Sequence, residues 1–345
     1  MNVRIAVAGA GLIGARHADA ITAAEGVSLT AIVDPAPAGV EVAARHRVPH
    51  FTSLDALFEA DRPDGVILAT PNQTHHDGAM TCIAAGIPAL IEKPLATTLA
   101  DAEAMVGAGQ AAGVPLLSGH HRRHNPLIAK ARELIDDGQL GRITAVQGTT
   151  WLSKPDDYFD TGWRRHAGGG PVYINLIHDI DLLRHLVGEI ASVHAIASNA
   201  VRGFEPEDTA AILLRFVGGA LGTISLSDAV TAPFSWELTA RENPAYPATD
   251  QACYLIGGTH GSMALPNLTL WSNPGLRSWW EPISATRIPF DFEDPLVAQV
   301  RQFADVIRGE AEPLVSAADG LQNQRVIEAI LTSAATGQTV DLTNT

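Results

Sequence analysis

Three short constellations in this 345-residue chain combine side chains and spacings suited to chemistry. The first is Gly9-Ala10-Gly11-Leu12-Ile13-Gly14, with Asp34 placed 20 positions beyond the last glycine. In such a turn the first glycine permits a tight bend and the second lets a pyrophosphate approach the backbone. The third allows close helix–strand packing, while the amides opening the helix donate to phosphate. Asp34 would accept hydrogen bonds from ribose hydroxyls and repel a 2′-phosphate. The residues after it, Pro35-Ala36-Pro37, bring no arginine, so the pattern predicts NAD in preference to NADP. The second constellation is Glu92-Lys93-Pro94. Of the 23 basic residues only Lys93, Lys130 and Lys154 are lysines, so a lysine in this setting stands out. Its ammonium can hydrogen-bond an oxygen that becomes a carbonyl, and burial can lower its pKa toward neutrality. The third is Asn175, His178 and Asp181, spaced with Ile174 and Leu182 to share a helix face. His178 has a pKa suited to taking a hydroxyl proton, and Asp181 either orients it or satisfies it structurally.

Two arginines, Arg123 and Arg164, are candidates for clamping a substrate carboxylate or hydroxyl. The cluster His120-His121-Arg122-Arg123-His124 has no cysteine or second cluster to complete a tetrahedron, and no metal is expected there.

Positioning these groups requires alternating strands and helices. Residues 3–8 read as a strand entering the glycine turn, 15–24 as a helix, and 27–33 as a strand ending at Asp34. Residues 65–70 and 88–91 repeat the apolar-strand pattern, with helices at 76–85 and 99–112 and a further strand at 114–118. Such repeats give a doubly wound parallel sheet whose ligands sit beyond the strand C-terminal ends. The loop Thr70-Pro71-Asn72 with His75, and the pair Glu92 and Lys93, fall at those ends and are expected at the cofactor with Gly9, Gly11, Leu12, Ile13 and Gly14. From about residue 142 strand-like segments dominate, at 144–150, 193–198, 209–216, 220–227 and 236–240, with one helix at 173–186 and closing helices at 294–307 and 318–335. The fold expected is α/β: a Rossmann domain over 1–122, then an α+β domain with a largely antiparallel sheet over 123–345. The second domain would bind substrate and, through a flat sheet face, another copy of the chain, as a homodimer or homotetramer.

The charge balance narrows the partners. A net charge of −15 argues against nucleic acid or an anionic membrane, which demand clustered cations. No apolar stretch reaches the roughly 20 residues needed to span a bilayer, and the N-terminus shows no secretory pattern. Cys82 and Cys253 are too few for a disulfide framework, so a cytoplasmic location is expected, with a small molecule as partner.

Taken in order, the glycine fingerprint, Ala69-Thr70-Pro71-Asn72 with His75, Glu92-Lys93-Pro94, Arg122 to Pro126, Trp163-Arg164, Gly168-Gly169-Gly170 with His178 and Asp181, and Asp319-Gly320-Leu321 resemble the Gfo/Idh/MocA oxidoreductases. The resemblance covers nearly the whole chain. It implies hydride transfer between a secondary alcohol of a sugar or cyclic polyol and nicotinamide. Lys93 and His178 would then be catalytic, and Lys93, Arg123, Arg164, Asn175 and His178 would contact substrate. One departure is Ile174, where inositol-dehydrogenase relatives commonly carry aspartate four residues before the histidine; Asn175 is the nearest polar side chain. That departure, with the arginines, keeps open a dehydrogenase of another cyclic alcohol, such as a dihydrodiol or hydroxy acid. A nucleotide-sensing protein without turnover is the alternative of a different class.

Overall fold

A computed structural model describes residues 2–343. The chain opens with β1 (Val3–Ala8), α1 (Leu12–Ala23), β2 (Val27–Val33), α2 (Pro37–His46), β3 (His50–Phe51), α3 (Leu54–Ala60) and β4 (Gly65–Leu68). It continues with α4 (His75–Ala84), β5 (Ala89–Ile91), α5 (Leu99–Ala112) and β6 (Leu116–Ser118). Among the described residues these strands form a six-stranded parallel sheet in the order β3-β2-β1-β4-β5-β6. Its strands are apolar and buried, as a sheet covered by helices on both faces requires. The order reverses at β1, whose neighbours are β2 and β4, so a ligand crevice opens beyond its C-terminal end.

The next segment holds α6 (Pro126–Asp136), β7 (Ile143–Trp151), α7 (Pro171–Ile174), α8 (Leu176–Val187), β8 (Ile190–Ser198), β9 (Thr209–Phe216) and β10 (Leu221–Ser227). After it come α9 (Trp236–Thr239), β11 (Tyr254–Gly258), β12 (Gly261–Leu265), β13 (Thr269–Ser272) and β14 (Ser284–Arg287). With the terminal β15 (Val340–Asp341) the described strands make a nine-stranded sheet in which only β7 and β10 pair in parallel. One face is packed: Ala210, Ile212, Leu214 and Phe216 of β9 join Leu176, Ile180 and Leu183 of α8 in a core. The alternate residues, Ala211, Leu213 and Arg215, are exposed.

Two sequence expectations fail here. Residues 236–240 form a helical turn rather than a strand: Thr239 Oγ1 donates to Ser235 O at 2.6 Å, and Trp236 is buried, stacked on Tyr254. The single helix at 173–186 is two helices, because the chain breaks at Asn175, whose amide is engaged sideways instead of capping α8.

The chain closes through α10 (Pro295–Ile307) and α11 (Ala317–Thr336). It divides into two compact units, one of residues up to Asn125 with Glu293–Gln324, the other of Pro126–Phe292 with the residues from Arg325 on. This differs from a single boundary at 122/123, since α10 returns to the first unit. Leu296, Val300 and Phe303 pack there into the core of Ile5, Ile21 and Ile32. None of the described helices is long and apolar enough to cross a membrane.

Candidate functional site

In the first unit, the glycine turn is built by close approach. Gly9 has φ +94° and lies so near the Ala69 backbone that a Cβ would sit 2.3 Å from its carbonyl oxygen. A Cβ on Gly14 would lie 1.9 Å from Gly9 O. Gly11 is the opposite case: a Cβ there would meet nothing within 4 Å, so this glycine faces open space. Gly11 is also the N-cap of α1 and supplies no side-chain cap, leaving first-turn amides for an anion. Leu12 beside it is 87% exposed, an apolar side chain available to a ligand, while Ile13 is half-buried. Asp34 pins the turn, accepting from Ala10 N at 2.7 Å and Ala36 N at 2.8 Å. A tight turn, an open middle glycine, free helix-start amides and a carboxylate at the end of β2 fit a dinucleotide.

The neighbouring loops are tied together by His75, which is fully buried. Its ring nitrogens lie 2.9 Å from Thr70 O and from Pro94 O. Asn72 stands in the short turn before α4, after Pro71, and Thr70 Oγ1 is buried without a hydrogen-bond partner among the described residues. Glu92 is buried, and its Oε2 accepts from the Lys93 amide at 3.2 Å. The Lys93–Pro94 bond is cis, and the Lys93 side chain is half-buried. A residue that the sequence reading passed over holds this turn: His17 of α1, fully buried, donates through Nε2 to Glu92 Oε1 at 2.7 Å. Its one sequence signal is its place three residues after Gly14. Burial alone would raise the Glu92 pKa, but the hydrogen bond and charge of His17, with Lys93 and His121, outweigh it and hold the carboxyl at about 2. Burial pushes His121 down to about 3, Glu92 opposing and Arg122, Arg16 and Lys93 adding to the shift. His120 contacts Ser118 Oγ and Asn323, and buried Arg123 pairs with Asp319 at 3.5 Å and with the Leu314 carbonyl. The basic cluster is thus packed into the first unit, and no three metal-ligating side chains converge among the described residues.

The second unit holds the other candidates. Gly168-Gly169-Gly170 is explained by position: Gly168 has φ +84°, a Cβ on Gly169 would lie 2.7 Å from the Arg164 backbone, and one on Gly170 would strike Glu207. Glu207 Oε1 accepts from Val172 N at 2.9 Å in α7, and burial raises its pKa. Asn175, 8% exposed, donates through Nδ2 to Glu237 Oε1 at 3.0 Å. His178 is buried one turn on, its amide donating to Asn175 O at 3.1 Å. Asp181 is fully buried on α8, and Asp179 anchors the same helix to the sheet through Thr150 and Tyr254. Lys154, 7% exposed, lies with Nζ 3.2 Å from Asp228, which Arg202 also engages. Burial lowers the Lys154 pKa, while Asp228 and Glu237 oppose the shift. Arg164 stacks over Tyr158 at 3.8 Å and donates to the Tyr158 carbonyl at 2.7 Å. Glu237 and Lys154 were not singled out as site residues from sequence, because each comes from an element remote in the chain from Asn175.

Comparison with known proteins agrees with this geometry. Residues 3–120 match the oxidoreductase family's NAD-binding Rossmann fold, and residues 132–342 match that family's C-terminal alpha/beta domain. The chain is 29% identical to 1,5-anhydro-D-fructose reductase of Ensifer adhaerens, over 84% of this chain and 83% of that protein. It is 29% identical to scyllo-inositol 2-dehydrogenase (NAD(+)) of Bacillus subtilis, over 99% and 96%. The WlbA dehydrogenase of Bordetella pertussis, solved with NADH and UDP-GlcNAcA, superposes with a TM-score of 0.79 at 27% identity, covering 99% of each chain. Matched across both of its parts, the chain belongs to the Gfo/Idh/MocA oxidoreductase family and is an NAD(P)-dependent dehydrogenase with an NAD-binding Rossmann domain.

Proposed function

We propose that this enzyme prefers NAD and oxidises a secondary hydroxyl of a sugar or cyclic polyol. The observation that carries the cofactor preference is Asp34, whose carboxylate is fixed at the glycine turn by two backbone amides. Oxygen lone pairs remain for ribose hydroxyls, and a 2′-phosphate would meet a like charge. When bound, the nicotinamide supplies the carbon that accepts hydride. Gly9, Gly11 and Gly14, with the first turn of α1, would hold its pyrophosphate, and the loop locked by His75 would lie along the ring. Lys93 orients the substrate oxygen, and His178 takes the hydroxyl proton. Asn175, fixed by Glu237, contacts substrate. The names of the relatives, a sugar reductase and an inositol dehydrogenase, support a polyol-type substrate.

Assembly into homo-oligomers and a cytoplasmic setting complete this reading, with the uncovered face of the nine-stranded sheet as the surface between copies. The test is NADH fluorescence with a panel of sugars, inositols and cyclic acids, each offered with NAD and with NADP. Turnover of a sugar or cyclic polyol with NAD preferred is expected. NAD binding without turnover of any alcohol would point to a nucleotide sensor, and equal use of both cofactors would remove the role given to Asp34.

A further inference from the structure

Among the described residues, His17 spends its only side-chain hydrogen bond on the turn that carries Lys93. The ring is fully buried on α1, one turn beyond Gly14. Its Nε2 donates to Glu92 Oε1 at 2.7 Å, and its Nδ1 is buried without a hydrogen-bond partner among the described residues. An unsatisfied polar atom in a core is destabilising, and an apolar side chain would fill the same space without that cost. Packing therefore gives no reason for a histidine here, and the bond to Glu92 does.

Glu92 is confined by a second element as well. A Cβ added to Gly119, just after β6, would lie 2.9 Å from Glu92 Cα and 3.1 Å from Oε1, the oxygen that His17 holds. Gly119 is itself tied down, its amide donating to Ile91 O at 2.6 Å. The other carboxylate oxygen, Oε2, accepts from the Lys93 amide at 3.2 Å. The charges around this carboxylate come from three elements. His17 of α1, Lys93 of the turn and His121 of the segment after β6 act on Glu92, while Arg16 and Arg122 act on His121 beside it. In such a cluster the like charges press the Lys93 ammonium toward neutrality, and a carboxylate held close by opposes them.

We propose that His17 is a positioning residue that acts on Lys93 through Glu92: it fixes the carboxylate against Gly119, and the fixed carboxylate keeps the Lys93 ammonium charged for the substrate oxygen. The inference rests on the reading that Lys93 orients that oxygen. His17 lies on the helix that leaves the glycine turn, so one hydrogen bond links the cofactor helix to the residue that meets substrate.

The chain has only the lysines Lys93, Lys130 and Lys154, so protein labelled with carbon-13 at lysine Cε resolves each lysine by NMR, and its titration is read without substrate. Lys93 is assigned by the signal lost in Lys93→Ala. His17→Leu, which fills the space without a donor, should lower the Lys93 midpoint by about one pH unit or more, the scale of losing a nearby opposite charge. His17→Gln, whose amide can still donate to Glu92 Oε1, should restore most of that difference. The Lys130 and Lys154 midpoints should not move, and the NADH dissociation constant should stay within about twofold. With myo-inositol and NAD, kcat should fall about tenfold in His17→Leu, and combining it with Lys93→Ala should add no further loss. An unmoved Lys93 midpoint in His17→Leu, equal midpoints in His17→Leu and His17→Gln, or kcat losses that add in full to that of Lys93→Ala overturn the proposal. Should His17→Leu not fold, Gly119→Ala decides, since it displaces the same carboxylate and should lower the same midpoint; no change there overturns the proposal. Should myo-inositol not be turned over, the titrations decide alone. A lowered midpoint in an enzyme whose Lys93→Ala variant turns over normally would sink the substrate role of Lys93 and leave its link to His17 standing.

Discussion

At the scale of single residues, Lys93 is the most exacting test of the chemistry. Its turn is over-determined: the Lys93 amide is on Glu92, Glu92 is on His17, and the Pro94 carbonyl is on His75. Replacing Lys93 by alanine leaves each of those bonds in place, because the first uses the backbone. Lys93→Ala should therefore keep its NAD dissociation constant and lose about 100-fold in kcat, the scale of a positioned acid–base group. Near-normal turnover would move the role elsewhere. The carboxyl beneath it gives a pH-dependent prediction. Held at about 2 in the folded chain against an ordinary 4.5, Glu92 contributes stability that is full above the ordinary value and is lost as pH falls between the two. Glu92→Gln should lower stability at neutral pH and flatten that acid limb, as read by urea unfolding at neutral pH and near pH 3. Lys93 and Asp34 stand out as candidates in the sequence because each belongs to a local motif with a mechanical reason for its spacing. His17 and Glu237 were not, since a hydrogen bond across 75 or 62 residues leaves no trace in spacing.

Among the elements, apolar periodicity identified most strands and several of the longer helices but not α2 or α6, and it failed where an element is short or its partner is distant. Trp236-Glu237-Leu238-Thr239 alternates like a strand, yet four residues cannot distinguish a period of two from a helical turn anchored by one buried tryptophan. Asn175 broke a helix that the pattern ran straight through, since a side chain spent on Glu237 is not visible as a cap. The closing helix α10 is legible in the sequence as a helix, but its apolar face says that it packs and not against what; it joins the first compact unit. Asp294 caps it, accepting from Leu296 N at 2.9 Å, and Pro295 opens it. Its Phe303 is fully buried with Ile5, Ile21 and Ile32, in the core beneath the cofactor sheet. Phe303→Ala should destabilise the first unit by about 3–5 kcal/mol, the usual cost of emptying a buried aromatic site. Because that core supports β1 and the glycine turn, the loss should also appear as weaker NAD binding at elevated temperature. A fluorescence titration on either side of the variant's unfolding midpoint checks both effects.

For the whole molecule, charge decides how copies can meet. Two chains each carrying −15 repel at most orientations, so a stable contact needs a surface without carboxylates. The uncovered face of the nine-stranded sheet is such a surface: β7, β9, β10, β11, β12 and β13 contain no aspartate or glutamate. Their outward positions include Gln147, Leu213, Leu221, Leu255 and Trp271, so large apolar side chains stand in water on a face that alternation would otherwise make polar. A second copy would offer the same carboxylate-free face, and an isologous sheet-to-sheet contact would cover both at once. Leu213 and Leu221 lie on adjacent strands, with Leu221 opposite Arg215, and a carboxylate at either would put like charges across the two-fold contact. Leu213→Asp with Leu221→Asp should therefore convert a dimer or larger assembly into monomers, measured by sedimentation, with far-UV circular dichroism unchanged because neither side chain reaches the core. A monomeric unmodified enzyme, or an assembly indifferent to both charges, would place the contact between copies on some other surface.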